Sequence, residues 1–197
     1  MTPRRGRSAE RPQIPRSHVI SGFRLFVLSA VLLAGVGTVG HAIGLVALTT
    51  TLGPTAYLLL AHPETEAGRV RSALVGHAAA TAAGLACLAA FRLWNHPSIA
   101  RQGHDTARQI GAQAIAVGLT LLLLHLFHAH HPPAAATALL IASGIARPGA
   151  PLYGMLTGLA LVLTLAPPLA LLTSGARTHP GNAPRAAEAE NDRVPGA

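Results

Sequence analysis

HAHHPPAAATALL, residues 128–140, sets three histidines and a Pro-Pro pair at the head of an apolar run. Inside a helix such a pair removes hydrogen bonds and clashes with the preceding turn. In the first turn of a helix proline is well tolerated, because the N–H it lacks would be unpaired there. The prolines therefore read as the start of a short apolar helix, PPAAATALLIASGIA (132–146), and not as the end of a long one.

That reading matters because of the apolar stretch around it. No Asp, Glu, Lys or Arg occurs between Arg108 and Arg147, nor between Arg24 and Glu64. A continuous helix filling the second of these gaps would measure about 58 Å, against a hydrocarbon core of roughly 30 Å. Two complete helical crossings with a turn would need slightly more chain than either gap holds. One crossing plus one short helix fits, and break signals stand where it requires them, at TTTLGP (49–54) and HHPP (130–133). The first break opens a second short helix, PTAYLLLA (54–61). The shorter gaps, from Arg71 to Arg92 and from Arg147 to Arg177, each suit one spanning helix.

The expected fold is an all-α membrane protein with four transmembrane helices and two short re-entrant or half-helices. Long, short and spanning helices follow in that order twice. At an offset of 82, Thr55 matches Thr137, Ala56 matches Ala138, Leu58 matches Leu140, Leu74 matches Leu156 and Gly76 matches Gly158. Two internal repeats are thus a possible organisation, one common among transporters.

Composition agrees with a membrane setting. Half of the 197 residues are hydrophobic and only 11% are charged, against about 25% in soluble domains. There is no lysine, and six of the fifteen arginines lie at or before Arg24. Residues 1–24 read as a disordered, Arg-rich cytoplasmic tail, 25–175 as the membrane domain and 176–197 as a second disordered tail. The charge of +8 flanks apolar spans without interleaved aromatic residues, so it reads as membrane orientation and not as nucleic-acid binding. With re-entrant short helices the arginines divide twelve to three in favour of the N-terminal side; with fully crossing ones, eleven to four. Both place the N-terminus in the cytoplasm. The first apolar stretch exceeds a signal-peptide core and reads as a retained helix. Abundant Ala, Gly, Pro and Arg suggest a GC-rich bacterial source, hence a plasma membrane.

HPPAAATALL (131–140) resembles the signature of the HPP family of small integral membrane proteins, whose usual continuation is similar to HPPAGATAL; Ala135 stands here for the glycine. LGPTAYLLLAHP (52–63), followed by a polar linker and Gly76-His77, strengthens the likeness, which covers roughly residues 25–173. The resemblance implies a four-helix membrane domain. Some members are implicated in nitrite transport, so it also implies a small inorganic anion as partner beside the lipid bilayer.

Physically, a helix beginning inside a membrane leaves backbone N–H groups unpaired, and these with the helix dipole attract anions. The expected substrate-binding residues are Thr51, Gly53, Pro54 and Thr55 at one short helix, His131, Pro132, Pro133 and Thr137 at the other, and His77, an ionisable side chain at membrane depth. His131 is a candidate cap and, titrating near neutrality, a candidate proton carrier. His41 is a further candidate. The alternative is a non-transporting scaffold or a metal sensor built on His125, His128 and His130, although no Cys, Asp or Glu joins them. No catalytic constellation or phosphate loop is evident, so neither enzyme activity nor a cofactor is expected. Cys87 reads as a small buried hydrophobe. Gly40 with Gly44, Gly76 with Ala80 and Gly84, and Gly154 with Gly158 make smooth faces for close helix packing. Phe23, Trp94 and Tyr153 read as interfacial anchors. A bundle this thin makes a homo-oligomer possible.

Overall fold

A computed structural model describes residues 16–174. Their regular structure is entirely helical: α1 (Arg16–Ala42), α2 (Leu52–Ala61), a 3₁₀ turn (Glu66–Gly68), α3 (Val70–Ala90), α4 (Ile99–Gln102), α5 (Ala107–Leu126), α6 (Pro133–Ala142) and α7 (Ala150–Ser174). Four of these, α1, α3, α5 and α7, are long and apolar enough to cross a membrane, while α2 and α6 are short apolar helices. Helix α1 starts at Arg16, inside the segment expected to be a disordered tail; residues 1–15 and 175–197 lie outside the described residues. Every residue from Arg16 to Phe23 is exposed, so the first turns extend the helix past its packed part without being buried.

Both short helices begin where the break signals stand. After α1 the chain reverses at Gly44, whose φ of +71° suits glycine. It then runs without helix back along α1. A Cβ on Gly40 would lie 2.6 Å from that of Ala47, and one on Gly37 would meet Leu48. Helix α2 finishes the return, since Leu60, Ala61 and His62 share a groove with His18, Ser21 and Arg24 near the start of α1. One extended half and one helical half thus make a single passage.

Helix α6 behaves differently at its start. It follows α5 through a tight turn and lies alongside α3 in the same direction, with Gly76 beside Ala134 and Gly84 beside Ala138 and Ile141. It ends next to α4, where the Ile99 N–H donates to the Ser143 carbonyl at 3.2 Å. Each half-helix therefore links opposite ends of the bundle, and the chain passes between those ends six times.

Two apolar clusters result. One is built mainly by α1, α2 and α7, the other by α3, α5 and α6. Missing side chains permit the closest approaches. The Val46 and Ala47 carbonyls press against Gly154 and Gly158 of α7, where any Cβ would collide with them. Gly76 and Gly84 do the same for α6 on α3. Gly44 is the exception to the expected smooth faces: it serves the reversal, and nothing lies within 4 Å of where its Cβ would be. Phe23, Trp94 and Tyr153 are exposed, as side chains directed to an interface would be.

Candidate functional site

The seam between the two clusters is polar. Thr55 stands one turn into α2, Thr137 one turn into α6, and His77 lies on α3 between them. The Thr55 hydroxyl is 3.1 Å from His77 Nε2, and the Thr137 hydroxyl is 2.8 Å from His77 Nδ1. The imidazole is thus clamped at both nitrogens by the two threonines that the internal offset pairs. His131, directly before α6, completes the group. Its Nε2 is 3.4 Å from the Thr55 hydroxyl, and its Nδ1–H donates to the Ala67 carbonyl of the 3₁₀ turn at 2.7 Å. The rings of His77 and His131 meet edge to face with centroids 5.0 Å apart. Thr55 also reaches back to the Thr51 carbonyl at 2.8 Å, and the hydroxyls of Thr51 and Thr49 lie 3.1 Å apart. Thr51, Thr55, Thr137 and His131 are fully buried, and His77 is nearly so.

Local sequence explains this convergence. Gly76 carries no side chain where His131 must pass: a Cβ there would lie 3.3 Å from that of His131 and 3.2 Å from that of Ala134. The Pro132-Pro133 pair starts α6 at this depth, so His131 is held at the helix mouth and not within it. Each hydroxyl and imidazole nitrogen of the cluster thus lies within 3.4 Å of another polar atom.

Five of the expected site residues, Thr51, Thr55, His77, His131 and Thr137, therefore meet. Pro133 is buried in the first turn of α6 without a polar role. Gly53, Pro54 and Pro132 do not belong to the cluster; all three are exposed. At about 100° per residue, Gly53 falls on the face of α2 opposite Thr51 and Thr55, while Pro54 stands at the exposed edge between the two faces. His41 is exposed at the end of α1. The backbone donors expected to attract an anion at α6 are already engaged, since Ala134 N–H donates to the His131 carbonyl at 3.0 Å and Ala135 N–H to the Pro132 carbonyl at 3.1 Å. These two donors at α6 are thus taken up within its first turn.

Two residues had no part in the sequence reading. Thr81, one turn beyond His77 on α3, buries its hydroxyl with no hydrogen-bond partner among the described residues. With His77 it lines a groove of about 490 Å³ between α3 and α7, otherwise walled by Leu and Ala side chains. Its spacing of four from His77 was the available signal. Glu66 is the other: its carboxylate accepts from His130 Nδ1 at 2.9 Å. His125, His128 and His130 are exposed, and His128 has a φ of +47°. Among the described residues no three His, Cys, Asp or Glu side chains are grouped so as to hold a metal ion.

Helices long enough to cross a membrane, joined by two half-helices around a buried His–Thr cluster, define a polytopic membrane protein with a polar centre. A family model described as HPP, transmembrane region, matches residues 13–179, and the chain belongs to that family. No curated protein and no solved structure matches it.

Proposed function

We propose that the protein is a transporter or channel for a small inorganic anion, nitrite-like in size and charge, and not an enzyme. One observation carries the reading: the first turns of both half-helices meet at a buried histidine pair. Ionisable side chains at membrane depth are costly and usually functional. Paired interrupted helices commonly mark the substrate site of a transporter. Imidazole and hydroxyl groups of His77, His131, Thr55 and Thr137 supply donors to an anion without a permanent cation, so release is not opposed by a fixed charge. The α3–α7 groove, with His77 and Thr81 on its wall, is the approach we assign.

The similar arrangement of α1, α2 and α7 on one side and α5, α6 and α3 on the other supports an internal repeat with exchanged third helices. Gly158 packs on Leu52 as Gly76 packs on Ala134, positions related by the same offset. If all six passages cross, both ends of the membrane domain lie on one side, and eleven of fifteen arginines support a cytoplasmic side in a cell with a plasma membrane.

Flux into proteoliposomes tests the reading, with nitrite, nitrate, formate and chloride compared against empty liposomes. Nitrite uptake above background, reduced at least tenfold in His77→Leu that still migrates as a folded species, is the expected result. No uptake of any of the four anions would overturn it.

A further inference from the structure

The hydrogens of the buried cluster can be counted. The Ala67 carbonyl only accepts, so His131 carries a proton on Nδ1. In the neutral ring Nε2 is then a lone pair. The group facing it is the Thr55 hydroxyl at 3.4 Å, whose single hydrogen has a better acceptor in the Thr51 carbonyl at 2.8 Å. His77 is satisfied when Nε2–H donates to Thr55 and Nδ1 accepts from Thr137. With every other position filled, His131 Nε2 is left opposite an oxygen with no hydrogen between them.

One added proton resolves the mismatch. Nε2–H of His131 would then donate to Thr55, whose oxygen donates once and accepts twice, its full capacity. The resulting imidazolium would have no carboxylate among its ring contacts in the described residues. Its ring meets Thr55 of α2, His77 of α3 and the Ala67 carbonyl of the 3₁₀ turn, and Thr51, Thr137 and Leu124 of α5 stand one contact further out, none of them acidic. The charged groups of the adjoining turn are exposed: Glu66 is engaged by His130, and Arg69 is a second cation. A buried unpaired charge is strongly unfavourable. A monovalent anion beside the pair would neutralise it.

Building on the anion reading above, we infer that the cluster binds one proton and one small anion cooperatively, with the proton on His131 Nε2. Linkage makes the effect mutual: the proton raises anion affinity by the factor by which the anion raises proton affinity. The same balance holds if the undissociated acid enters and donates to Nε2, since imidazolium plus anion and imidazole plus acid contain the same atoms and charge. Movement through the site would then be electroneutral, one proton accompanying each anion.

The full chain in liposomes carrying a trapped pH dye tests this with an inward nitrite gradient, against empty liposomes for passive permeation. The expected result is lumen acidification of one proton per nitrite, at a rate unchanged by a potassium–valinomycin potential. Nitrite flux that follows the potential without proton movement would overturn the inference and leave the transport reading intact. If no anion moves, the transport reading fails, and binding decides the inference. Calorimetry of nitrite binding in buffers of different ionisation enthalpy should then show one proton taken up, and none would overturn it. Where His131 is mostly neutral, nitrite affinity should fall about tenfold per pH unit. That slope should vanish in His131→Gln and diminish in Thr55→Val, which serves if the first variant does not fold. A slope retained in His131→Gln would overturn the assignment to His131.

Discussion

Of the four histidines between residues 125 and 131, three are exposed at one end of the bundle and the fourth is wholly buried. His130 and His131 are consecutive, yet one meets the Glu66 carboxylate at the surface and the other meets Thr55 and His77 in the interior. Residue type does not separate them. Three local provisions do: Gly76 opposite, leaving room for a ring; the Ala67 carbonyl, which takes the Nδ1–H; and the start of α6, which holds His131 at the inner side of the turn. A histidine enters a protein interior when the backbone around it has already been arranged to receive it.

The contrast is broken most directly by removing the inner ring. His77→Leu leaves the hydroxyl of Thr137 and one contact of Thr55 without their partners in a buried setting, and should lower stability by about 3 kcal/mol. His125→Leu at the exposed end should change it by no more than about 0.5 kcal/mol. Thermal melts followed by circular dichroism in detergent compare the two. Equal losses would mean that the buried cluster is not the structural seam.

A smaller effect is expected at the glycine that makes the room. A Cβ at residue 76 would stand 3.1 Å from Leu124 Cδ2 and 3.2 Å from Ala134 Cβ. Gly76→Ala should therefore cost about 1 kcal/mol through overpacking. The same melt reads it, and an unchanged midpoint would show that α6 yields freely at this point.

The smallest effect belongs to the outer pair. The hydrogen bond from His130 holds the Glu66 carboxyl below its ordinary value of 4.5. A carboxylate depressed in the folded state stabilises above its ordinary value, and that contribution is lost as pH falls through the folded value. Wild type should thus hold a slight advantage over Glu66→Gln at neutral pH that disappears on acidification. Melts from pH 7 down to pH 3 would show it, and an advantage that grows with acid would reverse the assignment.

Much of the architecture was legible because charge gaps and proline positions are local facts. The start of α6 at Pro133 and of α2 near Pro54 follow from proline chemistry, and four long helices follow from gap lengths alone. The direction of each short helix was not legible. Whether residues 43–61 return to the end they left depends on contacts of Ala47 and Leu48 with α1 and α7, partners set by the tertiary packing. The site was legible in part for a similar reason. Thr55, Thr137 and His77 stood out as polar groups in apolar runs, but the bond of His131 to Ala67 joins distant parts of the chain through a backbone carbonyl. No side-chain pattern announces such an acceptor. Gly53, Pro54 and Pro132 adjoin the cluster in sequence but are exposed, a difference that depends on packing and not on the motifs themselves.

The single cysteine gives this molecule a clock. Cys87 is buried in α3 against the α5–α6 side, and the chain has no other thiol. A membrane-permeant maleimide can reach it only while that half of the bundle has come apart, so its labelling rate counts openings per second. Anions that change the rate would reveal themselves as ligands without any label of their own.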